Sequence, residues 1–371
     1  MTDCLLVGGG IIGLSLAYEL SRRGVTVTIV EQGEWGGQAS SAAAGMLAPL
    51  KEFRSPGPLL DFGMESLRLY PEWVQDLQAV TRGDVQLSLD GLLTVALTDG
   101  EADELHAKYR WQKEAGYDVR WLTGREVQEV EPLVTPQAVA AVYSAKEGHI
   151  NNRMLLHALV SACRTQGVTL MSGCVVTALK QQAGRIIGID TTAGPVFADQ
   201  TIITAGAWAG ILLKWLGLSV SVHPVRGQIA AVGAAGIPLR TIVFGTTGYI
   251  TPKRDGRIVI GATEDAAGFQ QDVTLGGLAA VCSGVLPYVP VLQHAPFLEA
   301  WAGLRPATGD GKPILGPIAG WGGLSIAGGH FRNGILLAPV TAGRMADWIL
   351  HGRIEPLLPF LPERFSALPA T

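Results

Sequence analysis

Charged residues make up only 16% of this 371-residue chain, against 48% that are apolar, a balance that excludes a disordered or solvating polypeptide. Lys and Arg nearly cancel Asp and Glu, leaving a net charge of −4. They form no block or stripe, so nucleic acid is not an expected partner. Cysteine is scarce. Cys4, Cys163, Cys174 and Cys282 lie too far apart for CxxC metal or iron–sulfur ligation and too sparsely for a disulfide framework, and they read as buried thiols of a reducing compartment. No apolar run reaches the length of a membrane span, and a first strand beginning at Cys4 leaves no room for a secretory leader, so a cytoplasmic location is expected. The chain is longer than one hydrophobic core usually serves, which favours two intergrown domains.

Glycine, in contrast, is abundant, and its placement is informative. The apolar run Cys4–Val7 enters Gly8-Gly9-Gly10-Ile11-Ile12-Gly13, and a helical pattern follows with Ile12, Leu16 and Leu20 on one face. Arg22 and Arg23 suit the helix C-terminus and Gly24 the position after it, while Val25–Val30 is a second strand ending on Glu31. In this strand–turn–helix–strand unit Gly8 allows the tight turn, Gly10 lets the backbone approach a pyrophosphate, and Gly13 lets helix and strand pack closely. The helix N-terminus offers N–H groups and a positive dipole end to phosphates, and Glu31 a carboxylate to an adenosine ribose. An ADP-containing cofactor is implied.

The rest of the chain favours FAD over NAD. Residues 36–46 form a run of small side chains with Ser40 and Ser41, suited to lie against a bulky cofactor and to offer hydroxyls to its pyrophosphate. Val175–Lys180 and Arg185–Thr192 read as strands of a meander that returns to the sheet at Thr201–Ile203, an arrangement familiar from FAD domains of the glutathione-reductase type. Leu324–Gly334 is another strand and glycine turn, followed by a helical run over Ile335–Leu350 whose N-terminus suits the negative charge of a reduced flavin. No second GxGxxG marks a separate nicotinamide site, so the substrate supplies the electrons and oxygen or a diffusible carrier takes them.

These segments, with Ser41-Ala42-Ala43-Ala44-Gly45-Met46-Leu47, Trp301-Ala302-Gly303-Leu304-Arg305-Pro306, Asp310-Gly311-Lys312-Pro313 and Gly329-His330-Phe331-Arg332-Asn333-Gly334-Ile335-Leu336-Leu337-Ala338-Pro339, resemble the D-amino-acid oxidase family of FAD-dependent oxidoreductases, and within it the glycine-oxidising branch of the thiamine pathway. The likeness runs end to end. It implies an α/β fold in which a Rossmann-like FAD domain takes residues 1–50, 146–215 and 300–371. An inserted α+β substrate domain, built on an antiparallel sheet, takes 51–145 and 216–299. The local pattern agrees, with helices over Glu65–Val80 and Glu101–Gly116 and strands over Leu92–Leu97, Gln228–Val232 and Arg257–Ala262. FAD held non-covalently is expected against Gly8, Gly10, Ile11, Ile12, Gly13, Glu31, Gln32, Ser40, Ser41, Ala44, Gly45, Met46, Val175, His330, Phe331, Arg332, Asn333, Gly334, Ile335 and Leu336.

The resemblance also places the substrate groups. Arg305, in an apolar strand-like run, is the expected bidentate partner of an amino-acid carboxylate. Tyr249 adds a hydroxyl to the same carboxylate, and Arg332 stands near flavin and substrate. Glu264 replaces an expected apolar pocket residue; it faces either the substrate amine or solvent. Thr247 occupies a second variable position. His149, His223 and His330 read as structural, since no Ser or Cys near them has a nucleophile's context. The implied reaction is hydride transfer from glycine, sarcosine or D-alanine to flavin N5, yielding an oxo acid, ammonia or amine, and hydrogen peroxide. A homotetramer is implied as well. The alternatives are an oxidase or dehydrogenase of sarcosine, proline or bulkier D-amino acids, and a non-catalytic FAD-binding protein.

Overall fold

The strand Thr2–Val7 is buried on both faces because its side chains alternate between two cores: Cys4 and Leu6 pack into one, Leu5 and Val7 into the other. The computed structural model describes residues 2–218 and 220–365. Around this strand a parallel sheet runs in the order Leu324–Gly328, Gly194–Ile203, Thr2–Val7, Val27–Val30, Thr169–Met171, with Ile314–Pro317 antiparallel at its edge. The expected meander is present: Val176–Gln182 and Arg185–Thr191 pair antiparallel and hand on to Gly194–Ile203, whose end joins the parallel sheet. One face is covered by the helices Ile11–Arg22, Pro58–Thr81, Asn152–Thr165 and Gly334–His351.

A second sheet has the order Phe297–Thr308, Val222–Gly233, Arg257–Gly261, Tyr249–Pro252, Ile242–Phe244, Leu92–Ala96, Ala140–Ser144, Val119–Thr123. Every pairing is antiparallel except that of Ile242–Phe244 with Leu92–Ala96. The strand Phe297–Thr308 crosses the expected boundary at residue 300 and belongs to this sheet throughout its length. Period-two alternation sorts its side chains as well. Ala230, Val243, Ile250, Ile258 and Ile260 pack beneath the helix Leu275–Val285, whereas Ile229, Ile242, Phe244, Tyr249 and Val259 face the small-residue segment at Ala44 and Ala48. This register turns Tyr249 inward between the sheets.

Several boundaries differ from the sequence pattern. The helix expected from Glu65 begins at Pro58, where proline fits the first helical turn, and Gly63 within it leaves room for the Phe53 ring. The helix expected from Glu101 begins at Asp99, because Thr98 and Glu101 form a capping box. Three cysteines are buried, but Cys282 is only half-buried, on the partly exposed helix Leu275–Val285. No helix of the described residues is long and apolar enough to cross a membrane.

Candidate active site

A cavity of about 600 Å³ lies between the two sheets, within the range of cofactor sites. On the first-sheet side the glycines define its wall. Gly8 has φ +115°, and a Cβ there would stand 2.6 Å from the Thr204 carbonyl oxygen. A Cβ on Gly13 would come within 2.1 Å of the Gly8 carbonyl oxygen, so glycine is what allows helix Ile11–Arg22 to dock on the strand. Glu31 is 9% exposed and accepts the Gly9 N–H at 2.7 Å and the Gly33 N–H at 2.8 Å, with its carboxylate on the cavity.

Ser40 and Ser41 divide in role. Ser40 Oγ lines the cavity but accepts the Ile11 N–H at 3.0 Å, so it caps the helix that was expected to present that donor to phosphate. Ser41 Oγ donates to the Gln38 carbonyl and does not reach the cavity. Gly13 and Leu336 also lie off the cavity wall, the first in the helix–strand contact and the second in the core beside the helix Gly334–His351. The other expected cofactor residues line it: Gly8, Gly10, Ile11, Ile12, Glu31, Gln32, Ser40, Ala44, Gly45, Met46, Val175, His330, Phe331, Arg332, Asn333, Gly334 and Ile335.

The loop Ala44–Met46 is fixed by a residue that sequence reasoning did not single out. Lys253, from the end of a second-sheet strand, is 8% exposed and donates from Nζ to the carbonyls of Ala44 at 2.6 Å and Ile150 at 3.0 Å. His149 Nδ1 is 3.5 Å away, and no carboxylate pairs with this amine among the described residues. Burial pushes the Lys253 pKa down to about 7 and that of His149 to about 3, so the imidazole is neutral. His330 is likewise pushed to about 3 by burial, and its Nε2 lies 3.1 Å from Thr341 Oγ1. Beside it Phe331 has φ +50°, the one non-glycine residue on the cavity wall with left-handed backbone. Such strain is characteristic of functional turns.

On the second-sheet side the wall includes Ile229, Phe244 and Leu304, and its polar side chains are few. Arg305 projects from the same face of its strand as Trp301 and lies flat over Gly227 of the neighbouring strand. Its Nη1 donates to the Thr263 carbonyl at 2.9 Å, and no carboxylate of the described residues lies within 4 Å of it. Tyr249 packs its ring 5.3 Å from Phe244, and its hydroxyl has no hydrogen-bond partner among the described residues. Burial raises the phenol to about 12 despite the nearby Arg305 charge, so it is a neutral donor.

Arg332 is placed differently from Arg305. Its Nε donates to Glu52 Oε2 and its Nη1 to Glu264 Oε1 at 2.7 Å. Glu264 therefore does not point simply to solvent; it holds a guanidinium at the cavity. Glu52 was not legible in the sequence, because it sits in the short helical turn Pro49–Glu52 and meets Arg332 across 280 residues. That turn is held in place by the buried Glu147 carboxylate, which accepts the N–H groups of Leu50 and Lys51. Thr204, Trp208, Trp215, Phe244 and Gly227 are further lining residues without a local sequence signal.

The model of the DAO family, described as FAD-dependent oxidoreductase, matches residues 3–348. The chain belongs to this family. A glycine oxidase of Geobacillus kaustophilus is 38% identical over 94% of this chain and 92% of its own length. The crystal structure of glycine oxidase from the same species superposes with a TM-score of 0.94 at 36% identity, covering 98% of both chains. The bifunctional ThiO/ThiG protein of Trichormus variabilis is 34% identical over 96% of this chain, which spans 54% of that longer protein.

As a member of the DAO family the protein is an FAD-dependent oxidoreductase. The wall fits the cofactor: glycines stand where any Cβ would fill the turn, and two helix N-termini, at Ile11 and Gly334, open on the same cavity.

Proposed function

We propose that this oxidoreductase oxidises the α-carbon of glycine and of other small amines such as sarcosine and D-alanine, using FAD held non-covalently in the cavity. The first sheet and its helices form the FAD-binding body, and the second sheet forms the substrate body. Bound FAD would supply the acceptor for the substrate hydride and pass the electrons to oxygen as hydrogen peroxide. The protein's own residues bind and orient the substrate.

The observation that carries this reading is the pair Arg305 and Tyr249. A guanidinium without a carboxylate and a neutral hydroxyl without a partner face one cavity, which suits the planar, two-oxygen acid group of an amino acid. Holding the carboxylate there fixes the α-carbon, so that positioning provides the main rate advantage and no side chain has to act as the base. The neutral amine is the reactive form, and the imine product hydrolyses to glyoxylate and ammonia. The fused ThiO/ThiG relative supports a role in making the thiazole of thiamine. A homotetramer in the cytoplasm belongs to the same reading.

The test is an anaerobic spectrum before and after glycine, followed by a peroxide assay in air. Bleaching of the flavin absorbance and stoichiometric peroxide are expected. Arg305→Ala should raise KM for glycine roughly 10- to 150-fold, since a charge-assisted hydrogen bond is worth about 1.5–3 kcal/mol. A colourless protein that takes up no flavin, or a flavoprotein left unbleached by any small amine, would refute the proposal.

A further inference from the structure

The cavity contains two guanidinium groups in opposite electrostatic states. Arg305 is open, whereas Arg332 is bound by two carboxylates, Glu52 on Nε and Glu264 on Nη1. The Arg332–Glu52–Glu264 group therefore carries a formal charge of −1, and the cavity's other cations are the unpaired Arg305 and Lys51, whose amine lies over the Phe244 ring. A substrate with one acid group and one amine matches this arrangement, its carboxylate at Arg305 and its amine facing the anionic cluster. A substrate with a second acid group would bring that group against Glu52 and Glu264.

We propose that Glu264 makes the site selective for monocarboxylate amines by occupying the Arg332 nitrogen that would otherwise receive a second acid group. This rests on the assignment of Arg305 as the carboxylate anchor. The two carboxylates are not equivalent. Glu52 has a side chain only 10% exposed and is built into the wall, whereas Glu264 is 49% exposed, just beyond the strand Arg257–Gly261. Removing Glu264 leaves Arg332 still paired with Glu52, brings the cluster to zero charge, and frees Nη1 towards the cavity. Selectivity thus comes from a repulsive element as much as from the anchor.

The experiment measures calorimetric binding of acetate and of malonate, unreactive mono- and dicarboxylates, to the FAD-loaded protein. The wild type, Glu264→Ala and the double variant Glu264→Ala/Arg332→Met are compared at a pH where both ligands are fully ionised. The expected result is that Glu264→Ala raises the malonate-to-acetate affinity ratio tenfold or more, and that the double variant returns it to within threefold of wild type. A smaller rise in the single variant, or a gain that survives loss of Arg332, overturns the proposal. Failure of acetate to bind the wild type would instead remove Arg305 as anchor, and this inference with it. Since Glu264 is half-exposed, its loss leaves no buried charge unpaired, and flavin content reports independently that the variant is folded.

Discussion

Substituting Gly227 by alanine should disable the carboxylate anchor without touching a charged residue. A Cβ at this position would sit 2.3 Å from Cζ, Nη1 and Nη2 of Arg305. Ordinary carbon contacts begin near 3.5 Å, so the guanidinium has to retreat by about 1 Å. The guanidinium lies at the end of a flexible side chain and the cavity is open beside it, so it moves and the sheet does not. Gly227 is not among the residues with left-handed backbone, and alanine is acceptable to its strand. Fold stability and flavin content should therefore change little. Binding should not. A displaced guanidinium loses the alignment of charge-assisted hydrogen bonds worth about 1.5–3 kcal/mol each, which corresponds to about a 10- to 150-fold loss of affinity for a carboxylate ligand. The assay is KM for glycine together with Kd for acetate, measured for Gly227→Ala, Arg305→Ala and the pair combined. Both changes act through one guanidinium, so the double variant should be no worse than Arg305→Ala. Binding by Gly227→Ala within threefold of wild type, or full additivity in the double variant, would refute the assignment.

Two further outcomes follow from buried groups. The Lys253 amine is protonated up to about 10.5 when unfolded but only to about 7 when folded, so between these values the unfolded chain binds more protons and stability rises with pH. Lys253→Met should remove a slope of up to about 1.4 kcal/mol per pH unit from urea unfolding measured between pH 7 and 9; identical slopes in variant and wild type would contradict the burial argument. Gly8→Ala places a Cβ 2.6 Å from the Thr204 carbonyl at φ +115° and should cost about 2–6 kcal/mol of stability along with flavin retention. Wild-type flavin content in a stable Gly8→Ala protein would show that this turn tolerates a side chain.

The features legible in the sequence are those set by local chemistry. The strand, glycine turn and helix at residues 2–22 were readable because each glycine serves a backbone contact that the motif itself creates. Tyr249 and Arg305 were singled out by the family resemblance and not by the strand pattern, and both line the cavity. What escaped was set by partners distant in sequence. Glu52 looks like any surface glutamate until Arg332 arrives from 280 residues away, and Lys253 looks like a turn lysine beside Asp255 until its amine is seen on the Ala44 and Ile150 carbonyls. Ser40 has a second role that the sequence did not show. Its hydroxyl lines the cavity as expected, and its oxygen also accepts the Ile11 N–H from 29 residues away, leaving its O–H free to donate.

These distant contacts share one consequence for how the site is assembled. The groups expected to grip substrate, Arg305 and Tyr249, come from the second sheet, whereas the glycine turns and helix N-termini that fit the cofactor come from the first. Their relative placement has to be fixed by something that crosses between the sheets. Polar contacts beside the cavity do so, among them Lys253 on the Ala44 carbonyl, Trp301 Nε1 on the Ala42 carbonyl at 3.0 Å, and Glu264 on Arg332, and Arg153 adds an ion pair to Glu299 farther out. The first two of these matter most for the cavity wall. They converge on the small-residue segment 42–45, and there glycine and alanine serve less to accommodate bulk than to expose main-chain carbonyls to donors from the opposite sheet. A larger residue at Gly45 would meet the Ile150 carbonyl at 2.1 Å and lie 3.4 Å from Lys253 Nζ, disturbing the clamp as well as the cavity wall. The small residues of this loop are therefore constrained from both sides, by the cofactor space on one and by the buried lysine on the other.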